Sequence, residues 1–273
     1  MRYVSYLAAD GGEAVGRVEG DRVHRLEGVR RIDAAVSPEA LRTGTSDPQG
    51  LELSGLTLLP ASRPEKIFCV GLNYRAHIEE SGRELPTYPV LFPKFASSLI
   101  GAGAAIALPP ESTQVDYEAE LAVVIGRPGR RIRREDALDH VLGYTICNDV
   151  TMRDYQYKTH QWMQGKAWDG ATPLGPVLVS PDELDPGRLD IRLRRNGEEL
   201  QSSNTKLMIF DIAELIAVTS EFTRLNPGDV ILTGTPSGVG YRRDPQIFLR
   251  DGDVVEVEID GLGVLRNTVR AEA

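Results

Sequence analysis

Glu118 and Glu120 flank a single alanine in the stretch Val115-Asp116-Tyr117-Glu118-Ala119-Glu120-Leu121-Ala122-Val123-Val124-Ile125. Side chains alternate faces along a strand. The two carboxylates therefore point the same way, while Tyr117, Ala119, Leu121, Val123 and Ile125 form an apolar face suited to a core. Like charges roughly 4 Å apart repel by about 4 kcal/mol at an effective dielectric of about 20. Either one carboxyl is protonated or a cation lies between them, and a hard divalent cation with oxygen ligands is the economical explanation. Asp116 shares the face and is an alternative ligand, ranked below the two glutamates.

A further carboxylate, Asp149, ends the run Gly143-Tyr144-Thr145-Ile146-Cys147-Asn148-Asp149, so oxygen ligands stand at the tip of an expected strand. In Asn73-Tyr74-Arg75-Ala76-His77-Ile78-Glu79-Glu80, His77 and Glu80 fall on one face of a helix. A carboxylate beside a histidine fixes its tautomer and raises its basicity. Spacing alone leaves this pair open between a general base and an exposed pair of no consequence. His24, His140 and His160 carry no partner signal and read as structural or exposed.

The elements that must position these groups are mostly short strands. Arg2–Ala8 and Ala14–Val18 flank Asp10-Gly11-Gly12, a hairpin signal. A loop is expected over Arg42–Gly50, and Leu59-Pro60-Ala61-Ser62-Arg63-Pro64 reads as a linker. Lys66–Leu72 reads as a buried strand, and Asn73 as the N-cap of a helix running to about Ser81 and stopped by Gly82. Asn196-Gly197 suits a type I′ turn between Asp190–Arg195 and Glu198–Gln201. Ile209–Thr223 carries a helical apolar stripe, and Asp253–Ile259 alternates as a strand. Strands outnumber helices without a regular βαβ alternation, which predicts an α+β, predominantly β fold.

The 273 residues suffice for one large domain or one large and one small. Charged residues make up 26% and hydrophobic residues 41%, an ordinary balance for a soluble globular protein. A net charge of −9 argues against a nucleic-acid partner, because phosphate binding needs clustered Lys and Arg. The basic run from Arg127 to Arg134 leads straight into Glu135 and Asp136 and reads as a solvated loop and helix start. Cys69 and Cys147 lie in apolar runs and are expected as buried free thiols, which fits a reducing cytoplasm. No signal peptide and no membrane span is expected.

Taken in order, several segments resemble the fumarylacetoacetate hydrolase family: Glu118-x-Glu120, Asn148-Asp149 followed by Arg153-x-x-Gln156, Gly165-Lys166-x-x-Asp169 with a later Gly175-Pro176, and Thr233-Gly234-Thr235-Pro236-x-Gly238-Val239-Gly240. The resemblance runs from about Lys66 to the C-terminus, while residues 1–62 resemble the small N-terminal domain that many members carry. It implies a β-sandwich roll in a catalytic domain over 63–273, a homodimer and a metal-dependent site. By this likeness Glu118, Glu120 and Asp149 are the metal ligands, for Mg²⁺ first, with Mn²⁺ or Ca²⁺ as alternatives. His77 with Glu80 resembles a general base on a lid that orders over substrate, and Lys166 the lysine that stabilises an oxyanion or enolate. Arg153, Gln156 and Thr235 match substrate-binding positions. The chain departs from the common pattern at Asp169-Gly170, where many members have Asp-Thr, and at Met163 and Gln164, where a more basic residue is common.

Substrates of the family share a 2-oxo acid or 1,3-dicarbonyl unit that can chelate a divalent metal. The leading expectation is hydrolysis of a C–C bond in an acylpyruvate-like diketo acid, with His77 activating water. The alternative keeps the site without the water: decarboxylation or isomerisation of 2-oxo or 2-hydroxy-dienoate dicarboxylates, oxaloacetate included. A member that binds a metabolite without catalysis is a third reading.

Overall fold

The computed structural model describes every residue except Thr45, Ser46, Pro48 and Ala273. Those first three belong to the loop expected over Arg42–Gly50 and lie outside the described residues; Arg42 itself lies in the last turn of a short helix, Pro38–Thr43.

Among the described residues the strands form an 11-stranded sheet, a five-stranded sheet and a two-stranded pair, with short helices between them. The order across the larger sheet is Leu51–Glu52, Arg22–Arg25, Glu13–Glu19, Arg2–Leu7, Thr172–Val179, Val141–Asn148, Ala119–Ile125, Val230–Leu232, Ile67–Gly71 and Val90–Lys94, with Leu99–Ile100 parallel to Thr172–Val179. The expected α+β, predominantly β fold is what the chain adopts. The N-terminal hairpin turns at Gly11, φ 77°, where Asp10 accepts the Gly12 N–H. Its first strand pairs with Thr172–Val179, Arg2 facing Val179, so one sheet runs across the expected boundary at residue 62. The Leu59–Pro64 segment is stitched to both sides, for the buried Ser62 hydroxyl reaches the carbonyls of Ile32 and Gly228.

Ala119–Ile125 is the strand the site depends on. All seven of its residues are buried. Leu121, Val123 and Ile125 enter one apolar core, while Ala122 and Val124 enter a second on the opposite face. The alternation read from the sequence therefore holds, but the face bearing Glu120 becomes core two residues on. Each fully buried Leu, Val or Ile side chain contributes about 1.5–3 kcal/mol, so the strand is fixed between two packed layers.

The Asn196-Gly197 turn has both residues at positive φ, 53° and 84°, as a type I′ turn needs. Strand Val254–Ile259 lies close to where it was expected. Helix Ile212–Phe222 starts later than its apolar stripe because Asp211 caps it, accepting the Glu214 N–H. Helix Arg75–Ser81 stops at Gly82 in the left-handed conformation, as expected. Asn73 does not cap that helix; Tyr74 holds the cap position without a side-chain bond. The Asn73 amide instead donates to the carbonyls of Phe210 and Thr233 and accepts the Phe210 N–H, clamping three segments that are distant in sequence. Cys69 and Cys147 are buried free thiols, and burial pushes both well above the usual thiol range. Among the described residues no helix is long and apolar enough to cross a membrane.

Candidate active site

Glu118 precedes the strand Ala119–Ile125 and Glu120 lies in its first turn of pleat, while the neighbouring strand Val141–Asn148 delivers Asp149 just beyond its end. The two strand ends are locked together. Asn148 Oδ1 accepts the Glu118 N–H at 3.0 Å, and the Asp149 N–H donates to the Glu118 carbonyl at 2.9 Å. This brings one carboxylate oxygen from each of Glu118, Glu120 and Asp149 to within 4.8 Å of the others, all three residues buried.

Cations surround the cluster. Lys166 Nζ lies 2.7 Å from Glu118 Oε2 and 2.7 Å from Asp149 Oδ2. Lys94 Nζ lies 2.7 Å from Asp149 Oδ1 and also donates to the Val150 carbonyl. Arg153 Nη2 forms a 2.7 Å ion pair with Glu118 Oε1, Nε donates to Asp116 and Nη1 to Gln156 Oε1. Burial pushes the Glu118 carboxyl up, but Lys166 and Arg153 overcome this and hold it down at about 2. Glu120 is raised well above the usual carboxylate range, first by burial and then by Asp149 and Glu118. Burial lowers the Lys166 pKa, but Asp149 and Glu118 outweigh it and raise the ammonium above its ordinary value. Without a metal the like charges are thus relieved by the raised Glu120 pKa, which favours the neutral carboxyl, and by an ammonium beside Glu118.

The residues present fit a hard divalent cation. The donor set is three carboxylates, the oxygen chemistry such ions take. Asp116, Glu118, Glu120 and Asp149 are four carboxyls facing the three cations Lys94, Arg153 and Lys166, which leaves one negative charge in excess once all are ionised. Glu120 Oε2 accepts only the Gly234 N–H, at 2.8 Å, among the contacts described.

Asp116 lies outside the convergent cluster, contrary to its standing as an alternative ligand. Its carboxylate accepts the N–H groups of Tyr117, Gly240 and Tyr241 and the Arg153 Nε, all at 2.8–2.9 Å. It fastens the glycine-rich turn to Arg153. That turn needs glycine at 234: φ is 96°, and a Cβ would lie 2.9 Å from the Val70 carbonyl oxygen.

His77 Nδ1 lies 2.7 Å from Glu80 Oε1, and Glu80 Oε2 accepts the Gly238 N–H at 2.9 Å, so the helix is latched to the same turn. His77, Glu118, Glu120, Arg153, Gln156, Lys166 and Thr235 all line one pocket. Asp149 joins them through the carboxylate cluster and Glu80 stands behind His77, so of the site residues singled out in the sequence only Asp116 stays apart. Thr235 Oγ1 accepts from Gln201 Nε2, and Gln201 Oε1 accepts the Ala119 N–H. Sequence reasoning missed Lys94, Gln201 and the support given by Asn148. The available signal for Lys94 was a lysine closing the otherwise uncharged run Val90-Leu91-Phe92-Pro93.

The C-terminal domain model of fumarylacetoacetate (FAA) hydrolase matches residues 66–270. The mitochondrial oxaloacetate tautomerase fahd2 of Xenopus laevis is 52% identical over 223 residues, covering 80% of this chain and 70% of that protein. Among solved structures, the 2-hydroxyhepta-2,4-diene-1,7-dioate isomerase of Mycobacterium marinum is similar with a TM-score of 0.83 and 34% identity, covering 100% of this chain and 99% of that one. The fumarylacetoacetate hydrolase of Exiguobacterium antarcticum has a TM-score of 0.85 and 37% identity, each chain covered in full. The chain belongs to the fumarylacetoacetate hydrolase family and is an enzyme of that family. The reading without catalysis finds no support in these relatives.

Proposed function

We propose that this enzyme tautomerises or isomerises a 2-oxo acid, with an oxaloacetate-like acid as the substrate, and that Glu118, Glu120 and Asp149 hold a divalent cation, Mg²⁺ before Mn²⁺ or Ca²⁺. The comparisons favour this over the hydrolysis of an acylpyruvate that the sequence put first, since the relative at 52% identity is named an oxaloacetate tautomerase and a structural neighbour is named an isomerase. The observation that carries the reading is the Lys166 ammonium, 2.7 Å from two carboxylates of the cluster and facing the same pocket as His77.

When bound, the cation supplies Lewis-acid chemistry to a 2-oxo carboxylate. His77, oriented by Glu80, takes the proton from the carbon next to the oxo group. A water gives the oxo oxygen its proton and takes one back from His77, so the enol forms with the imidazole neutral again, and the reverse order regenerates the keto form. Lys166 is a poor proton donor, because Asp149 and Glu118 hold it as an ammonium; it stabilises developing negative charge on that oxygen instead. Gln156 and Arg153 orient the bound acid, and Thr235 offers it a hydroxyl. The homodimer and the cytoplasmic location belong to the same proposal.

Incubation of Mg²⁺-loaded protein with oxaloacetate on one side and acetylpyruvate on the other separates the two chemistries. The proposal expects faster decay of oxaloacetate enol absorbance without acetate release from acetylpyruvate. Stoichiometric pyruvate and acetate from acetylpyruvate, with no effect on oxaloacetate enol, overturns it in favour of hydrolysis. That second reading draws on the His77–Glu80 pair, which is equally suited to activating water.

A further inference from the structure

The pocket has two differently charged ends. At the inner end the cations are committed: Arg153 and Lys166 each pair with carboxylates. The outer wall carries two more arginines, Arg83 just past the His77 helix and Arg242 just past the glycine-rich turn. Both are exposed, and among the described residues neither guanidinium has a carboxylate partner. Each lies over an aromatic ring that lines the same pocket: Arg83 over Trp162, 5.6 Å from the ring centroid, and Arg242 over Tyr241, at 5.2 Å. Trp162 is itself fixed, packed edge-on to Phe92 with Gly71 beneath it, where a Cβ would lie 2.4 Å from the indole. Among the described residues the only acids lining the pocket are Glu118 and Glu120 of the cluster. A guanidinium seated on a ring keeps its N–H edge free for a planar anion.

We propose that Arg83 and Arg242 form a distal carboxylate clamp at the mouth of this pocket, which selects 2-oxo dicarboxylates over monocarboxylates of similar size. The proposal rests on the reading that the cluster end takes a 2-oxo acid. The first carboxylate and its neighbouring oxygen lie at the Glu118–Glu120–Asp149 end, and the second carboxylate reaches the two arginines. An acylpyruvate with a neutral acyl end has nothing to offer them.

Calorimetric titration of the Mg²⁺-loaded protein with malate and with lactate tests this. Both are 2-hydroxy acids able to occupy the cluster end, neither carries a 2-oxo group, and only malate has a second carboxylate. Each charge-assisted contact is worth about tenfold in affinity. The wild type is expected to bind malate at least about tenfold more tightly than lactate. In Arg83→Met with Arg242→Met that preference collapses while the lactate Kd changes less than about twofold. The substitutions lie at exposed positions, and an unchanged thermal midpoint checks that the fold is intact. Malate preference that survives in the double variant, or equal affinity for both acids in the wild type, overturns the clamp and leaves the 2-oxo acid reading standing. No binding of either acid to the wild type brings down both.

Discussion

Lys94 Nζ lies 2.7 Å from Asp149 Oδ1, with both side chains fully buried. Lys94 takes one oxygen of Asp149 while the pocket-lining Lys166 takes the other, so the carboxylate is compensated on both oxygens. Removing one partner of a buried pair costs about 3–5 kcal/mol because the other charge is stranded. Lys94→Met, close in volume, should therefore lower metal-free stability by about 3 kcal/mol, read as a shifted urea midpoint. Added Mg²⁺ should restore part of the loss. A midpoint within error of wild type would show that Asp149 does not depend on Lys94.

Burial, Asp149 and Glu118 raise the Glu120 pKa well above the usual carboxylate range, which favours its protonated form in the metal-free enzyme. A ligand must be ionised to coordinate, so metal binding releases that proton. Affinity for Mg²⁺ should rise with pH until Glu120 ionises on its own and then level off. Titrations in two buffers of different ionisation enthalpy should report close to one proton released per ion below that point, and Glu120→Gln should abolish the release. A proton count of zero throughout would contradict the assignment.

Glu118 shifts the other way, down to about 2 despite burial, through Lys166 and Arg153. A carboxyl depressed on folding contributes stability that is present above its unfolded pKa and is lost as pH falls through the folded value. The window is therefore from about 4.5 down to about 2, and the full contribution is about 3 kcal/mol. Metal-free unfolding free energy measured across that window should fall steeply in wild type and less so in Glu118→Gln, which starts from a lower plateau.

His77→Ala should reduce tautomerisation by about 10²–10⁴-fold, the usual contribution of a positioned general base. Glu80→Gln should cost less in rate, since it leaves the imidazole in place but removes its anionic partner, and it keeps an oxygen for the Gly238 N–H. Equal losses in both variants would mean that Glu80 matters through the latch to the turn rather than through the histidine.

Much of this was open to sequence reading because it is local. The alternation at Glu118 and Glu120, the Asn196-Gly197 turn and the stop at Gly82 each depend on neighbours within a few residues. What escaped is long-range. Lys94 meets Asp149 across 55 residues, Gln201 meets Ala119 across 82, and Asp116 meets Gly240 across 124. Asn73 looked like a helix cap because asparagine is a good one, yet its amide serves Phe210 and Thr233, 137 and 160 residues away. The pairing of the first strand with Thr172–Val179 likewise has no local signature, since Arg2 meets Val179 from the far end of the chain. The grouping of the site residues was legible only through the order of the family motifs; spacing alone left His77 undecided.

The most direct test follows the ultraviolet enol band of oxaloacetate, mixed rapidly with Mg²⁺-loaded enzyme and with enzyme stripped by a chelator. The account predicts accelerated keto–enol equilibration in the loaded sample, its loss on stripping, its return on adding Mg²⁺, and no acceleration in Glu118→Ala with Glu120→Ala although that variant stays folded. Acceleration that persists in the stripped enzyme or in the folded double variant would contradict a cation held by these carboxylates as the centre of the chemistry.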